Sequence, residues 1–426
     1  MIARNFYEHG PDILHPTVDV GGEKSGITGS EFPVLNYLIY LVAKVFGYQH
    51  WYGRLIVLAF SSLGVYFFYK SIRMYFGESA AFNGTMLLLV SFWFSYSRKI
   101  IPDAFAISLC MIGLYQALMY WETGKWWRLI LFIVLCVIGC MSKISAAAVL
   151  TVLALPLFKR SIPLSRKAFV AIGSLFILGG ACWWYFLWVP HLNESYGFGD
   201  HFFMGLPFKE GFDRIIQNPG PVLKRFYSTP MKYTGFALFV FALFMVIRKR
   251  NWYPLAVFLL PFTTFLIILV KTGTSIIGDT YYILTMIPAM AFIAGYGLTY
   301  IQNKRIAIFI LVVVAVESLA AQIYDFRIRE PYKSLERLEA VMDEVSNRDD
   351  KILVTAPTHE PTAMYFTHRR GWVALPQSIF QDTAYISHVK SNGCKYIVVT
   401  RKLYGELDMS LPVVHDSEHF KIYKLD

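Results

Sequence analysis

The feature that most constrains this chain is a series of long stretches with almost no charge. Residues 52–72, 80–98, 103–121, 168–189, 252–271, 280–300 and 305–323 are predominantly apolar. About 20 such residues span the hydrocarbon core of a bilayer. In that medium the backbone must satisfy its own hydrogen bonds, so these stretches are expected to be helices. Residues 128–142, 144–158 and 233–247 are shorter candidates, which brings the expected spans to ten. The first two of these read as a broken pair around Ser142 and Lys143. Residues 33–47 are apolar but short and are expected to form an interfacial helix. Composition agrees: 16% of residues are charged, against about 25% in soluble chains. Trp51, Tyr52, Trp126, Trp127 and Trp252 stand at the ends of stretches, where an aromatic belt would lie.

The basic residues sort these ends into two sides. One alternate set of loops holds Lys70, Arg73, Lys125, Arg128, Lys159, Arg160, Arg166, Lys167, Arg248, Lys249, Arg250, Lys304 and Arg305. Those thirteen face two acidic residues, Glu78 and Glu122, a surplus equal to the whole chain's net charge of +11. Short basic loops stay in the cytoplasm. The other side then collects residues 1–51, 99–103, the point near Lys143, 190–232, 271–279 and 324–426. Charge spread over short loops is a topology signal and argues against a nucleic-acid-binding surface, which needs it clustered. No basic segment followed by a short apolar core opens the chain, so no signal peptide is expected. Cys110, Cys136, Cys140 and Cys182 lie in apolar stretches and Cys394 is alone in the tail; they read as small buried hydrophobes.

The tail changes character. Residues 331–347 have the pattern of an amphipathic helix, and 351–356 and 395–400 that of buried strands. The expected fold class is an α-helical polytopic membrane protein with about ten transmembrane helices and a small C-terminal α/β extracytoplasmic domain. The expected divisions are a first outer loop with interfacial helices (1–51), a transmembrane module that includes the outer loop 190–232 (52–323), and a soluble domain (324–426).

Ionisable residues gather on the outer side. They are Glu31 before the interfacial helix, Arg54 at the outer end of a span, and Arg98, Lys99 and Asp103 between two spans. Lys143 sits at the break, and Asp279, Tyr281 and Tyr282 at the outer end of a later span. Charged groups at span ends that face a bundle are candidates for function; the plainer reading is capping and interfacial anchoring. His191, Asp200 and His201 have no recognisable metal spacing, so no metal ligand is assigned. His368, Arg369 and Arg370 read as a solvated loop, with substrate contact as the alternative. A transporter would place polar, broken helices at mid-membrane and show related halves; neither is visible.

In sequence order these elements resemble a known family. The strings are SEFP with Glu31, KVFGYQHWYGRL with Arg54, RKIIPD with Asp103, MSK with Lys143, and GDTYYILTMIPAMA with Tyr281, Tyr282 and Pro288. The tail string PTAMYFTHRRGW adds to them. Together they resemble the GT-C membrane glycosyltransferases of the protein O-mannosyltransferase and lipid A aminoarabinose transferase type. The resemblance implies inverting transfer of a hexose or pentose from a polyprenyl-phosphate donor to a lipid, glycan or protein acceptor. It places that transfer on the outer side of a bacterial inner (cell) membrane. Asp103 and Glu31 would be the acidic residues of the site. Arg54, Lys143, Arg98 and Lys99 would bind the donor phosphate, and Asp279, Tyr281 and Tyr282 the substrate. No cofactor is assigned, and a divalent cation is left open. The resemblance also implies that the family's first transmembrane helix and the acidic residue just after it would precede Met1. The alternatives are a flippase for lipid-linked saccharides and an inactive, truncated member.

Overall fold

The computed structural model describes residues 1–198, 205–357, 360–375 and 383–425. The chain packs as two units. One comprises Glu31–Trp188 and His201–Asp325; the other comprises Met1–Ser30, Val189–Asp200 and Phe326–Asp426.

The first unit is helical. Among the described residues, four helices are long and apolar enough to cross a membrane: Tyr52–Val90, Pro102–Thr123, Leu164–Tyr196 and Trp252–Ile277. The number is six if each of two bent helix pairs counts as one span, so by length the helices fall short of the ten expected. The reasons are local. Residues 52–72 and most of 80–98 share one helix, broken only at Gly77 with φ 80° and ψ 175°. Glycine alone takes such a conformation readily, since a Cβ would clash. Trp126–Ser142 and Ile287–Leu298 are shorter helices, and Ile144–Ala154 winds as a 3₁₀ helix rather than an α-helix. Val34–Phe46 is helical, over the stretch expected to be an interfacial helix.

Pro102–Thr123 is the central element and is buried along most of its length. It packs against Tyr52–Val90, Trp126–Ser142 and Ile144–Ala154. Lipid-embedded helices gain little from the hydrophobic effect on pairing, so close backbone approach carries more of the association. Gly295 shows this: a Cβ there would lie 2.2 Å from the backbone N of Gly84. The fully buried Leu87, Leu88, Trp93, Phe105, Trp121 and Phe132 fill the interior.

The second unit is built on a five-stranded sheet. Its strands are β1 (Lys351–Thr355), β2 (Arg370–Ala374), β3 (Cys394–Thr400), β4 (Val413–Asp416) and β5 (Phe420–Lys424), in the order β2-β1-β3-β5-β4. β1 is parallel to β2 and β3, while β5 is antiparallel to β3 and β4. Helices Thr362–Thr367 and Thr383–Ser391 lie between the parallel strands in sequence, as such crossovers require. Both faces of the sheet are covered. Ile352 and Val354 join a cluster with Leu338, Met342 and Phe420; Leu353 joins one with Val389, Ile397 and Tyr423. That two-sided burial is why β1 and β3 read as continuous apolar runs rather than alternating ones.

Residues 1–30 pack within this same unit. Arg4 forms a buried ion pair with Asp19 at 2.9 Å. The Gly371 N–H donates to the Asp19 carbonyl and the Gly22 N–H to the Gly371 carbonyl, each at 2.9 Å.

Candidate active site

The helical unit brings three charged residues from distant parts of the chain together. Lys143 Nζ lies 2.7 Å from Glu31 Oε1 and 3.7 Å from Asp103 Oδ2. Asp103 is buried and Lys143 nearly so, while the Glu31 side chain is one-third exposed.

Local structure sets each position. Pro102 occupies the first turn of its helix, where its missing N–H costs nothing. Asp103 follows in that turn, where a carboxylate is favoured by the helix dipole. Helix Trp126–Ser142 ends at Lys143, whose φ of −159° and ψ of 110° are extended. The Lys143 N–H still donates to the Gly139 carbonyl at 2.9 Å, and the chain then restarts as the 3₁₀ helix. Lys143 therefore projects from a break between two apolar segments.

Glu31 is held indirectly. The Phe32 N–H donates to the Met141 carbonyl at 3.1 Å, and the Phe32 ring meets Trp184 edge-on at 4.7 Å. The Tyr185 hydroxyl donates to the same Met141 carbonyl at 2.9 Å. Trp184 and Tyr185 lie in a π-helical turn, Trp183–Trp188, a kind of distortion frequent at functional sites. Tyr185 was not singled out from the sequence: the string WWYFLW reads as one end of a span. The only available signal was the density of aromatics at that end.

Tyr281 and Tyr282 come from the 3₁₀ turn Thr280–Thr285, with ring centroids 4.5 Å apart. Lys143 Nζ lies 5.3 Å and 5.9 Å from their centroids, within cation–π range. Asp279 is exposed at the start of this turn. The Ser142 hydroxyl is buried and has no hydrogen-bond partner among the described residues.

The other expected phosphate ligands lie elsewhere. Lys99 Nζ is 3.8 Å from Asp325 Oδ1 and 4.1 Å from the Tyr96 ring centroid; Arg98 donates to the Asp325 carbonyl at 3.3 Å. Arg54 is exposed at the first turn of Tyr52–Val90, close enough to Arg98 for the two charges to interact. Tyr96 links the groups, with its hydroxyl 3.3 Å from Thr280 Oγ1. Asp200 and His201 lie outside the described residues. Among the described residues no group of three His, Cys, Asp or Glu is placed to hold a metal ion.

In the second unit, Arg369 is not part of a solvated loop. It is buried and hydrogen-bonds to Asp343, Ser346, Thr367 and His368. A guanidinium with that many local acceptors can be buried, and the amphipathic helix supplies Asp343.

Residues 30–186 match the family model of dolichyl-phosphate-mannose-protein mannosyltransferases, a stretch that contains Glu31, Asp103 and Lys143. No curated protein sequence matches the chain. Among solved structures, ArnT from Cupriavidus metallidurans in the apo state is similar with a TM-score of 0.63 at 14% identity, over 99% of this chain and 91% of that one. The same protein bound to undecaprenyl phosphate gives a TM-score of 0.59 at 14% identity, over 99% and 92%. The Archaeoglobus fulgidus oligosaccharyltransferase AglB, in complex with an inhibitory peptide and a dolichol-phosphate, gives 0.56 at 12% identity, over 94% and 64%. The fold is thus similar to that of these membrane transferase structures, and residues 30–186 carry the family pattern.

Proposed function

We propose that the chain transfers a sugar from a polyprenyl-phosphate donor to an acceptor on the outer side of the membrane, with inversion. The observation that carries this reading is the Lys143 ammonium shared by Glu31 and Asp103 beside Tyr281 and Tyr282. An ammonium has three donors and no acceptor. Glu31 takes one at 2.7 Å, and Asp103 at 3.7 Å is beyond a normal hydrogen bond, so Lys143 keeps donors for a phosphate oxygen.

The chemistry asks for little more. The acceptor oxygen attacks the anomeric carbon, the bond from that carbon to the phosphate oxygen breaks, and the lipid phosphate leaves as an anion. Lys143 stabilises that leaving charge, with Arg54, Arg98 and Lys99 drawing the phosphate towards the site. The acceptor proton passes to a carboxylate, for which Asp103 is the first candidate and Glu31 the second. Tyr281, Tyr282 and Asp279 contact the sugar. In this reading the ten apolar segments all lie in the membrane, the bends and 3₁₀ turns making up for short helices. The basic loops are cytoplasmic and the sheet-bearing unit is outside.

The test is a sided assay in proteoliposomes with a labelled polyprenyl-phosphate sugar and a panel of hydroxyl acceptors. The expected result is label in an acceptor and free polyprenyl phosphate in the membrane. Movement of intact donor across the bilayer without transfer would replace this reading with that of a flippase.

A further inference from the structure

A second feature lies further along the helices that frame the charged cluster. A half-open apolar groove lies among Ile72, Leu114, Val152, Val257, Ala289 and Phe292. Leu114 and Leu118, both in its wall, lie eleven and fifteen residues beyond Asp103 in the same helix. At 1.5 Å per residue that is about 16–22 Å along the axis. Glu31, Asp103 and Lys143 do not line the groove, although Thr285, from the turn that carries Tyr281 and Tyr282, does.

Its polar edge lies where the chain carries its basic loops. Tyr75 and Tyr253 line it, and Lys159 Nζ lies 4.4 Å and 5.9 Å from their ring centroids. The neighbouring cations are engaged: Arg73 pairs with Glu78 at 2.7 Å, and Arg166 donates to the carbonyls of Trp121 and Glu122. Lys159 meets aromatic faces and forms no ion pair among the described residues. The Tyr75 hydroxyl is buried without a hydrogen-bond partner among the described residues, and the Glu122 charge reaches it. A buried hydroxyl without a partner costs free energy, which an incoming acceptor atom would recover.

We propose that this groove is a second lipid site, which takes one long apolar chain of an anionic lipid and holds its phosphate head between Lys159 and the Tyr75 hydroxyl. The lining is mostly apolar, with Ser71, Tyr75, Tyr253 and Thr285 its few polar side chains, so it favours an apolar chain over a polar ligand that it would desolvate. Lys159, which has no ion pair among the described residues, offsets the Glu122 charge and with the Tyr75 hydroxyl donor favours an anionic, acceptor-rich head. Two sources share that chemistry: a two-chain phospholipid and a polyprenyl phosphate.

Native mass spectrometry of the full chain, titrated separately with phosphatidylglycerol, undecaprenyl phosphate and phosphatidylcholine, tests the site. The titrations are run on the wild type and on Lys143→Met, so that failure of the donor cluster and failure of this site are read apart. The site predicts one tightly held anionic lipid that survives in Lys143→Met. A single lysine near a lipid head is worth about fivefold in affinity, so Lys159→Gln should weaken the adduct about that much and Lys159→Arg should keep it. Ala289→Trp, which fills the groove, should remove it. The stronger of the two anionic lipids identifies the source. Phosphatidylcholine bound as well as both anionic lipids would overturn the proposal. So would a Lys159→Gln chain that binds like the wild type; this loop variant decides the matter even if Ala289→Trp does not fold.

Discussion

The two units bury charge in opposite ways. In the sheet-bearing unit, Arg369 is fully buried, and Nε, Nη1 and Nη2 all have acceptors: Ser346 Oγ, two backbone carbonyls on Nη1, and Asp343 and the Ser346 carbonyl on Nη2. In the helical unit, Lys143 has one carboxylate at hydrogen-bond distance, a second at 3.7 Å, two aromatic faces, and an orphan hydroxyl on the preceding residue. A saturated buried cation holds a fold together. An unsaturated one has capacity left for a ligand.

The largest expected effect follows from that contrast. Asp103→Asn removes the carboxylate nearest complete burial, and general-base help is worth about 10²–10⁴-fold. The transfer rate per folded molecule should fall in that range while the melting temperature stays near the wild type. A rate within threefold of the wild type would move the base to Glu31. Next is Arg369→Met, which leaves the carbonyls of Ser346, Thr367 and His368 without that donor, while Asp343 keeps Arg348. Removing the hydrogen bonds of a buried cation costs about 1.5–3 kcal/mol, to be read from denaturant or thermal unfolding of the sheet-bearing unit. A loss below about 1 kcal/mol would mean that solvent already shares those acceptors.

Smaller effects sharpen the boundary. Tyr281→Phe keeps the ring and should leave donor affinity nearly unchanged. Tyr281→Leu loses the cation–π contact and should weaken it by a few-fold to about thirtyfold, as measured by the KM for the donor. Equal behaviour of the two variants would place Tyr281 outside the site. The smallest effect is on pH. Burial opposes ionisation of Glu339, but hydrogen bonds from His368 and Arg348 outweigh it and hold the carboxyl at about 2, against an ordinary 4.5. A depressed carboxyl stabilises the fold above its unfolded value and loses that contribution as pH falls through its folded one. The melting temperature of the sheet-bearing unit should therefore drop between about pH 4.5 and pH 2, and Glu339→Gln should flatten part of that slope.

What the sequence revealed depended on contrast with the background. Glu31, Asp103 and Lys143 stood out because a charge beside an apolar run is rare, and all three meet in one cluster. Tyr281 and Tyr282 joined them from a string at the outer end of a span. Tyr185 did not stand out, because an aromatic among aromatics carries no contrast. Arg54, Arg98 and Lys99 share a loop region but turn towards Asp325 or solvent, and sequence order cannot resolve which way a side chain faces. In the tail, β1 and β3 were visible as buried runs. β2 and β4 at the sheet's edges, and β5 between β3 and β4, were not, because RGWVA, VVHD and FKIYK mix charge with apolar residues. Arg369 was misread as solvated because its saturation comes from backbone carbonyls, which no side-chain pattern announces.

The central claim is that the unsaturated Lys143 ammonium stabilises the departing lipid phosphate. The direct measurement is single-turnover release of polyprenyl phosphate from a polyprenyl-phosphate sugar by the wild type, Lys143→Arg and Lys143→Met. Removing one donor aimed at developing negative charge typically costs about 10²–10³-fold in rate. Lys143→Met should fall by that factor, and Lys143→Arg, which keeps the charge in a different shape, should lie between it and the wild type. Release by Lys143→Met at the wild-type rate would contradict the account and leave Lys143 as a structural tie between Glu31 and Asp103.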